Sequence, residues 1–215
     1  QTVIEYREPL VTIPVSDSRL ELLVRVSNFE HRLSGIVGGL TIGLPEQMQT
    51  LRQRDLQRGH FLMGAFLIIG IYFLGLYLIR SENYRLHFSM LCLLMVFRLL
   101  MIQEPPMIES LNLNGLTTAR LDFLNIYFFA PFFILMIRAL FPIEFPEKVL
   151  RPLIWISVLF IVLVVVTPIS LFSYSLPYFF GFFILISSVF LYVVILAWIR
   201  GRSHAPAFAL SLIHI

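Results

Sequence analysis

HFLMGAFLIIGIYFLGLYLI, His60 to Ile79, is twenty residues without a carboxylate, lysine or arginine. At about 1.5 Å per residue, a helix of this length crosses the roughly 30 Å of hydrocarbon in a bilayer. A helix on a soluble core shows an apolar stripe and a polar face; this one is apolar on every side. The stretch predicts a membrane span.

Four more such runs follow. Leu86–Ile102 is interrupted only by His87 near one end and Arg98 near the other, and Leu121–Leu140, a short Pro152–Thr167 and Pro177–Ile199 come after it. A sixth run starts at Pro206 and is partial within 206–215. Pro152, Pro177 and Pro206 fit the first turn of a helix, where a missing N–H leaves no bond unmade. Pro131 falls in mid-span and predicts a kink.

Upstream the character changes. Glu46 to Arg58 is polar and poor in turn residues, which predicts a short helical or extended connector. Arg19–Ser27 alternates, with Leu20, Leu22, Val24 and Val26 on one side, the period-two pattern of a half-buried strand. Ile36–Leu44, broken by Gly38 and Gly39, and Thr2–Val15, broken by Pro9 and Pro14, are weaker strands. Some fifty residues with three strands cannot bury a core of their own. Residues 1–45 are therefore expected to be the C-terminal part of a larger β-sandwich. The fold class predicted is mixed: that β-rich part, a connector at 46–58, and an α-helical transmembrane bundle over 59–209. The final LSLIHI, 210–215, resembles a translated sequencing adapter and is expected to be non-native.

Composition agrees with a membrane chain. Of 215 residues 58% are hydrophobic and 13% charged, about half the charged share of a soluble domain. The net charge of +3 does not point to nucleic acid, because the basic residues collect in short loops. The single cysteine, Cys92, lies in an apolar run and excludes any internal disulfide.

Those loops give an orientation. Arg80 and Arg85 follow the first span, Arg138, Lys148 and Arg151 the third, and Arg200 and Arg202 the fifth. Gln103–Ala119 has Glu104 and Glu109 and only Arg120 just beyond it, and Pro168–Leu176 has no charge. The odd loops are expected to be cytoplasmic and the N-terminal part external. Arg52, Arg54 and Arg58 oppose this but follow a folded domain, which is exported regardless of charge.

No zinc spacing, phosphate loop or nucleophile elbow occurs, so no catalytic residue, metal or cofactor is expected. His31, His60, His87, His204 and His214 are scattered, three of them at span boundaries. Gly59, Gly64, Gly70 and Gly75 read as generic close packing, their spacings being wrong for a tight dimer motif. The informative residues are Arg98 and Asp122, charges inside neighbouring spans at one depth, where they usually pair or line a cavity. They are expected to approach each other, with Glu104, Glu109, Arg120 and Asn125 as secondary partners. Three roles are open: an ion pair fixing helix register, a coupling element for a signal, or snorkelling to the interface.

Several segments carry a resemblance. LLVRVSNFEHRLSGIVGGLTIG (Leu22–Gly43) resembles the end of the periplasmic domain of bacterial seven-transmembrane receptors with diverse intracellular signalling modules. Gly59–Leu100, with Ile71-Tyr72 and Phe97-Arg98, is similar to that family's first two helices, and ARLDFLNIYFFAPFF (Ala119–Phe133) to its third. The resemblance implies a receptor in the bacterial inner membrane. Its jelly-roll-like periplasmic domain would sense a carbohydrate or other small ligand, and seven helices would signal to a cytoplasmic output module. On that reading the chain is a fragment lacking the output chemistry, its partners are the bilayer, the ligand and a second copy of the chain, and it is not itself an enzyme. A transporter or channel is the alternative, disfavoured because the span midplanes are nearly free of charge.

Overall fold

The computed structural model of the protein describes residues 41–103 and 115–201. The strands expected in residues 1–40, Glu104 and Glu109, the partial sixth span and the 210–215 tail lie outside these residues. Residues 41–44, the end of one expected strand, are not in a strand.

The first helix, α1 (Pro45–Arg80), is longer than the apolar run that predicts it. The connector is not a separate element but its first turns. Pro45 starts it, needing no N–H partner there. Ser81 ends it in the left-handed region (φ 51°), its N–H donating to Tyr77 O. A tight turn at Ser81-Glu82 then reverses the chain into α2 (Asn83–Gln103), and Arg85 pairs with Glu82 across it at 2.5 Å.

The third helix, α3 (Gly115–Leu140), begins six residues before the expected 121 and passes through Pro131 without ending. Pro131 has no N–H to offer the Tyr127 carbonyl one turn earlier. The fourth, α4 (Glu147–Val166), is not short: it has 20 residues and starts ahead of the expected 152. Pro152 is therefore in its sixth position, not its first turn, a correction to the sequence reading. Lys148 accordingly gives its carbonyl no intrahelical donor at 152. Thr167 closes α4, both its N–H and its Oγ1 donating to Leu163 O. After Pro168 come a single helical turn, α5 (Ile169–Phe172), a 3-10 turn (Ser173–Ser175) and α6 (Leu176–Ile199). Pro177 does fall in the first turn of α6.

Among the described residues, five helical stretches are long and apolar enough to cross a membrane, Ile169–Ile199 counting as one. They run up and down. Ser89 meets Gly70 and Arg85 meets Leu76 between α1 and α2, so one index rises as the other falls. The same holds for Arg98 with Asp122 and Leu94 with Asn125 between α2 and α3. Each helix packs on the next from α1 to α4, and α6 packs on α3. The antiparallel order gathers Arg80, Arg85, Arg138, Lys148, Arg151 and Arg200 at one end of the bundle, the basic end.

The interior lies among α3, α4, α5 and α6, where Phe123, Tyr127, Ile134, Ile137, Val164, Phe172, Phe179 and Ile186 are buried. The opposite pattern marks α1, where only Gly59 and Gly70 are buried. Many of its large apolar side chains, among them Phe61, Ile68, Ile71, Leu78 and Ile79, face outward, which lipid tolerates and water would not.

Candidate functional site

Leu94 and Arg98 are four residues apart on α2, and Asp122 and Asn125 three apart on α3, so each pair occupies one helix face. The faces oppose each other. The Arg98 guanidinium donates from Nη1 to Asp122 Oδ1, with the two side chains 30% and 31% exposed. One turn deeper, Asn125 Nδ2 donates to Leu94 O at 3.1 Å, using the second lone pair of a helix carbonyl. Arg98 and Asp122 are thus together, far from the basic end. Of the secondary partners, Asn125 supports the same α2–α3 seam. Arg120 does not: it turns the other way and donates to Thr167 O at the end of α4, at 3.3 Å.

Beneath this seam Tyr127 is completely buried. Its hydroxyl is 2.5 Å from Ser175 Oγ. Ser175 spends its one proton on Phe172 O at 2.6 Å, so Tyr127 is the donor. Its ring packs 4.5 Å from Phe179 and 5.5 Å from Phe160, while Phe123 packs 5.0 Å from Phe172. Tyr127 therefore ties α3 to the turn before α6 and to α4 at once.

The α1–α2 joint is built differently. Ser89, fully buried, donates from Oγ to Gly70 O at 2.8 Å. A Cβ on Gly70 would sit 3.3 Å from Cys92 Cβ and 3.4 Å from Leu93 Cδ2, whereas one on Gly64 or Gly75 would meet nothing within 4 Å. Of Gly64, Gly70 and Gly75, Gly70 is the one that lets α2 come this close.

At the basic end, Arg138 donates to Pro142 O and, at 2.7 Å, to Phe145 O, closing the α3–α4 loop. Glu144 in that loop is buried and lies 3.7 Å from Arg200 at the end of α6. Sequence reasoning counts Arg200 as a topology determinant and passes over Glu144, Tyr127, Ser175 and Ser89. A charge inside a span stands out in a sequence; a serine, a tyrosine or a loop glutamate does not.

Chemically, the Arg98–Asp122 arrangement is an ion pair between two neighbouring helices. Its two charges, partly removed from water, attract more strongly than at a free surface, and the two helices then have one preferred register. Among the described residues, no group of three or more His, Cys, Asp or Glu side chains could hold a metal ion.

A model of the family described as 7TM diverse intracellular signalling matches residues 59–215, thus from the point where α1 turns apolar through Ile215. No curated protein and no solved structure matches the chain.

Proposed function

The chain belongs to the 7TM diverse intracellular signalling family, and we propose on that premise that it is the transmembrane part of a signalling receptor. It carries a state from an external sensing domain to a cytoplasmic output module. The basic end faces the cytoplasm, in keeping with the excess of arginine and lysine on that side. The N-terminal residues are then periplasmic, in a bacterial inner membrane, and their ligand is a carbohydrate or another small molecule. This chain transmits; catalysis belongs to the output module.

The observation that carries the reading is the Arg98–Asp122 pair, which joins α2 to α3 at the external end. Charge inside a span is costly, and this pair holds two helices in a register where an external domain acts on them. The aromatic filling of the bundle around Tyr127 supports a transmitting body over a conduit. A receptor requires two bundle states that the outer ligand binds unequally, and an ion pair that is made in one and broken in the other supplies such a bias.

Asp122→Asn in the full-length receptor keeps the shape and removes the charge. Basal output should change by at least about fivefold, the low end of measured coupling between sites, with the protein still present in the membrane at parental level. Unchanged output would remove the pair from signalling.

A further inference from the structure

α1 has 36 residues, about 54 Å of helix, against roughly 30 Å of hydrocarbon. Its apolar part begins at Gly59, so residues 45–58 extend about 21 Å from the bilayer at 1.5 Å per residue. None of these residues is buried. The helix does not break at the boundary. After Pro45 there is no proline and no Gly–Ser pair through Arg80, and these are the usual sources of a kink.

Inside the membrane, α1 packs on α2 along its length, with Arg85 on Leu76 O and Phe73 4.6 Å from Phe88, and the backbone approach is tight at Gly70. Gly70 accepts the Ser89 hydroxyl at 2.8 Å, and a Cβ there already meets Cys92 Cβ at 3.3 Å. Turning α1 by one residue would bring Ile69 or Ile71 to this place, and a side chain there must push Cys92 and Leu93 aside. The joint therefore has a preferred seat, with Gly70 against α2, and leaving it costs packing.

We propose that α1 is a rigid rod that carries rotation from the periplasmic side into the bundle, with Gly70–Ser89 as the detent that α2 reads. This rests on the receptor reading above. It adds the direction of the motion and the place where it enters. A rotation of the external domain turns the stalk, the turn reaches Gly70 through unbroken helix, and α2, which also bears Arg98, repacks.

Two measurements test it. The first uses the chain in bilayers with Cys92→Ala, and spin labels at Arg52→Cys and Leu78→Cys. An unbroken helix gives one narrow population at a backbone separation of about 39 Å. A bimodal or clearly shorter distribution would show a break near Gly59 and overturn the rod. The second inserts alanines after Gln53 in the full-length receptor and reads basal output. One inserted residue turns everything beyond it by about 100°, whereas seven return it to within about 20°. Output should shift by at least about fivefold for one insertion and return toward the parent for seven. Output that ignores insert length, with the parent active, would overturn the rod alone. A parent without any output would overturn the receptor reading and the rod with it.

Discussion

The α1–α2 hairpin and the α3–α4–α6 body are held together by opposite means. In the hairpin the tightest backbone approach is made by absence: a glycine with no side chain, a serine hydroxyl on its carbonyl, and a cysteine packed above. In the body the contact is made by volume, with Tyr127 fully buried among the rings of Phe123, Phe160 and Phe179 from three helices. In lipid, burying an apolar side chain gains little, because the tails it leaves are as apolar as the protein; packing and hydrogen bonds decide association. The body has many such contacts and should move as one piece. The hairpin is also held along its length, by Ser89 on Gly70 O, Arg85 on Leu76 O and the Phe73 ring 4.6 Å from Phe88. But α1 buries only two glycines and should leave its seat more easily than the body comes apart. The molecule thus divides into a stiff part and a releasable part, joined at the α2–α3 seam by Arg98 and Asp122.

The most severe way to break this contrast is at Tyr127. Tyr127→Ala removes a fully buried ring and the donor to Ser175, and should cost about 3–5 kcal/mol, as large-to-small core changes do. The check is unfolding of the full chain in mixed micelles, followed by circular dichroism. Tyr127→Phe keeps the ring and loses only the hydrogen bond, for about 0.5–1.5 kcal/mol. Near-equal costs would mean that the hydroxyl, not the ring, holds the body, and the contrast in means would fail.

The seam comes next. Asp122→Leu leaves Arg98 without its carboxylate at a site about one-third exposed. Water reaches the guanidinium in part, so the loss should be about 1–3 kcal/mol. Replacing both, Arg98→Leu with Asp122→Leu, should lie nearer the parent than either single change, since a lone charge is worse than none. The measurement is a double-mutant cycle in the same micelles. A double variant no better than the sum of the singles would show that the two side chains are not coupled.

How much of this could be read beforehand follows from what a sequence displays. The spans were legible because length and hydropathy are one-dimensional, and Arg98 and Asp122 because a charge in a span is conspicuous. The start of α1 was not, because Glu46–Arg58 is mostly polar and nothing in it distinguishes a helix continuing the span from a separate linker. The position of Pro152 misled for a related reason: Glu147, Lys148 and Arg151 look like a loop, yet they form the first turns of α4. Gly70 was indistinguishable from Gly59, Gly64 and Gly75, since only the partner helix decides which glycine is approached. Tyr127 and Ser175 are 48 residues apart, and no local pattern links them.

The glycines sharpen the comparison at smaller cost. Gly70→Ala pushes a methyl against Cys92 Cβ, an atom fixed to the α2 backbone that cannot swing away. It should separate the hairpin and lower stability by about 1 kcal/mol, the low end for overpacking. Gly64→Ala and Gly75→Ala meet open space and should be neutral or stabilising by up to about 1 kcal/mol through helix propensity. Unfolding midpoints of the three variants, measured side by side, decide the matter. A destabilised Gly75→Ala would mean that its face is occupied.

The smallest expected effect is at Ser89. Its hydroxyl donates to a carbonyl that already has its helical partner, so Ser89→Ala leaves no polar group stranded. Hydrogen bonds between membrane helices average about 0.6 kcal/mol by mutant cycles, and Ser89→Ala should cost that much or less. Its value as a test is in the company it keeps. If the hairpin is a detent, the hydroxyl and the missing Cβ act at one spot, and Ser89→Ala in the Gly70→Ala background should cost nothing further. If it still costs its full amount there, the serine holds α2 by some route other than Gly70, and the seat of α1 is broader than one residue.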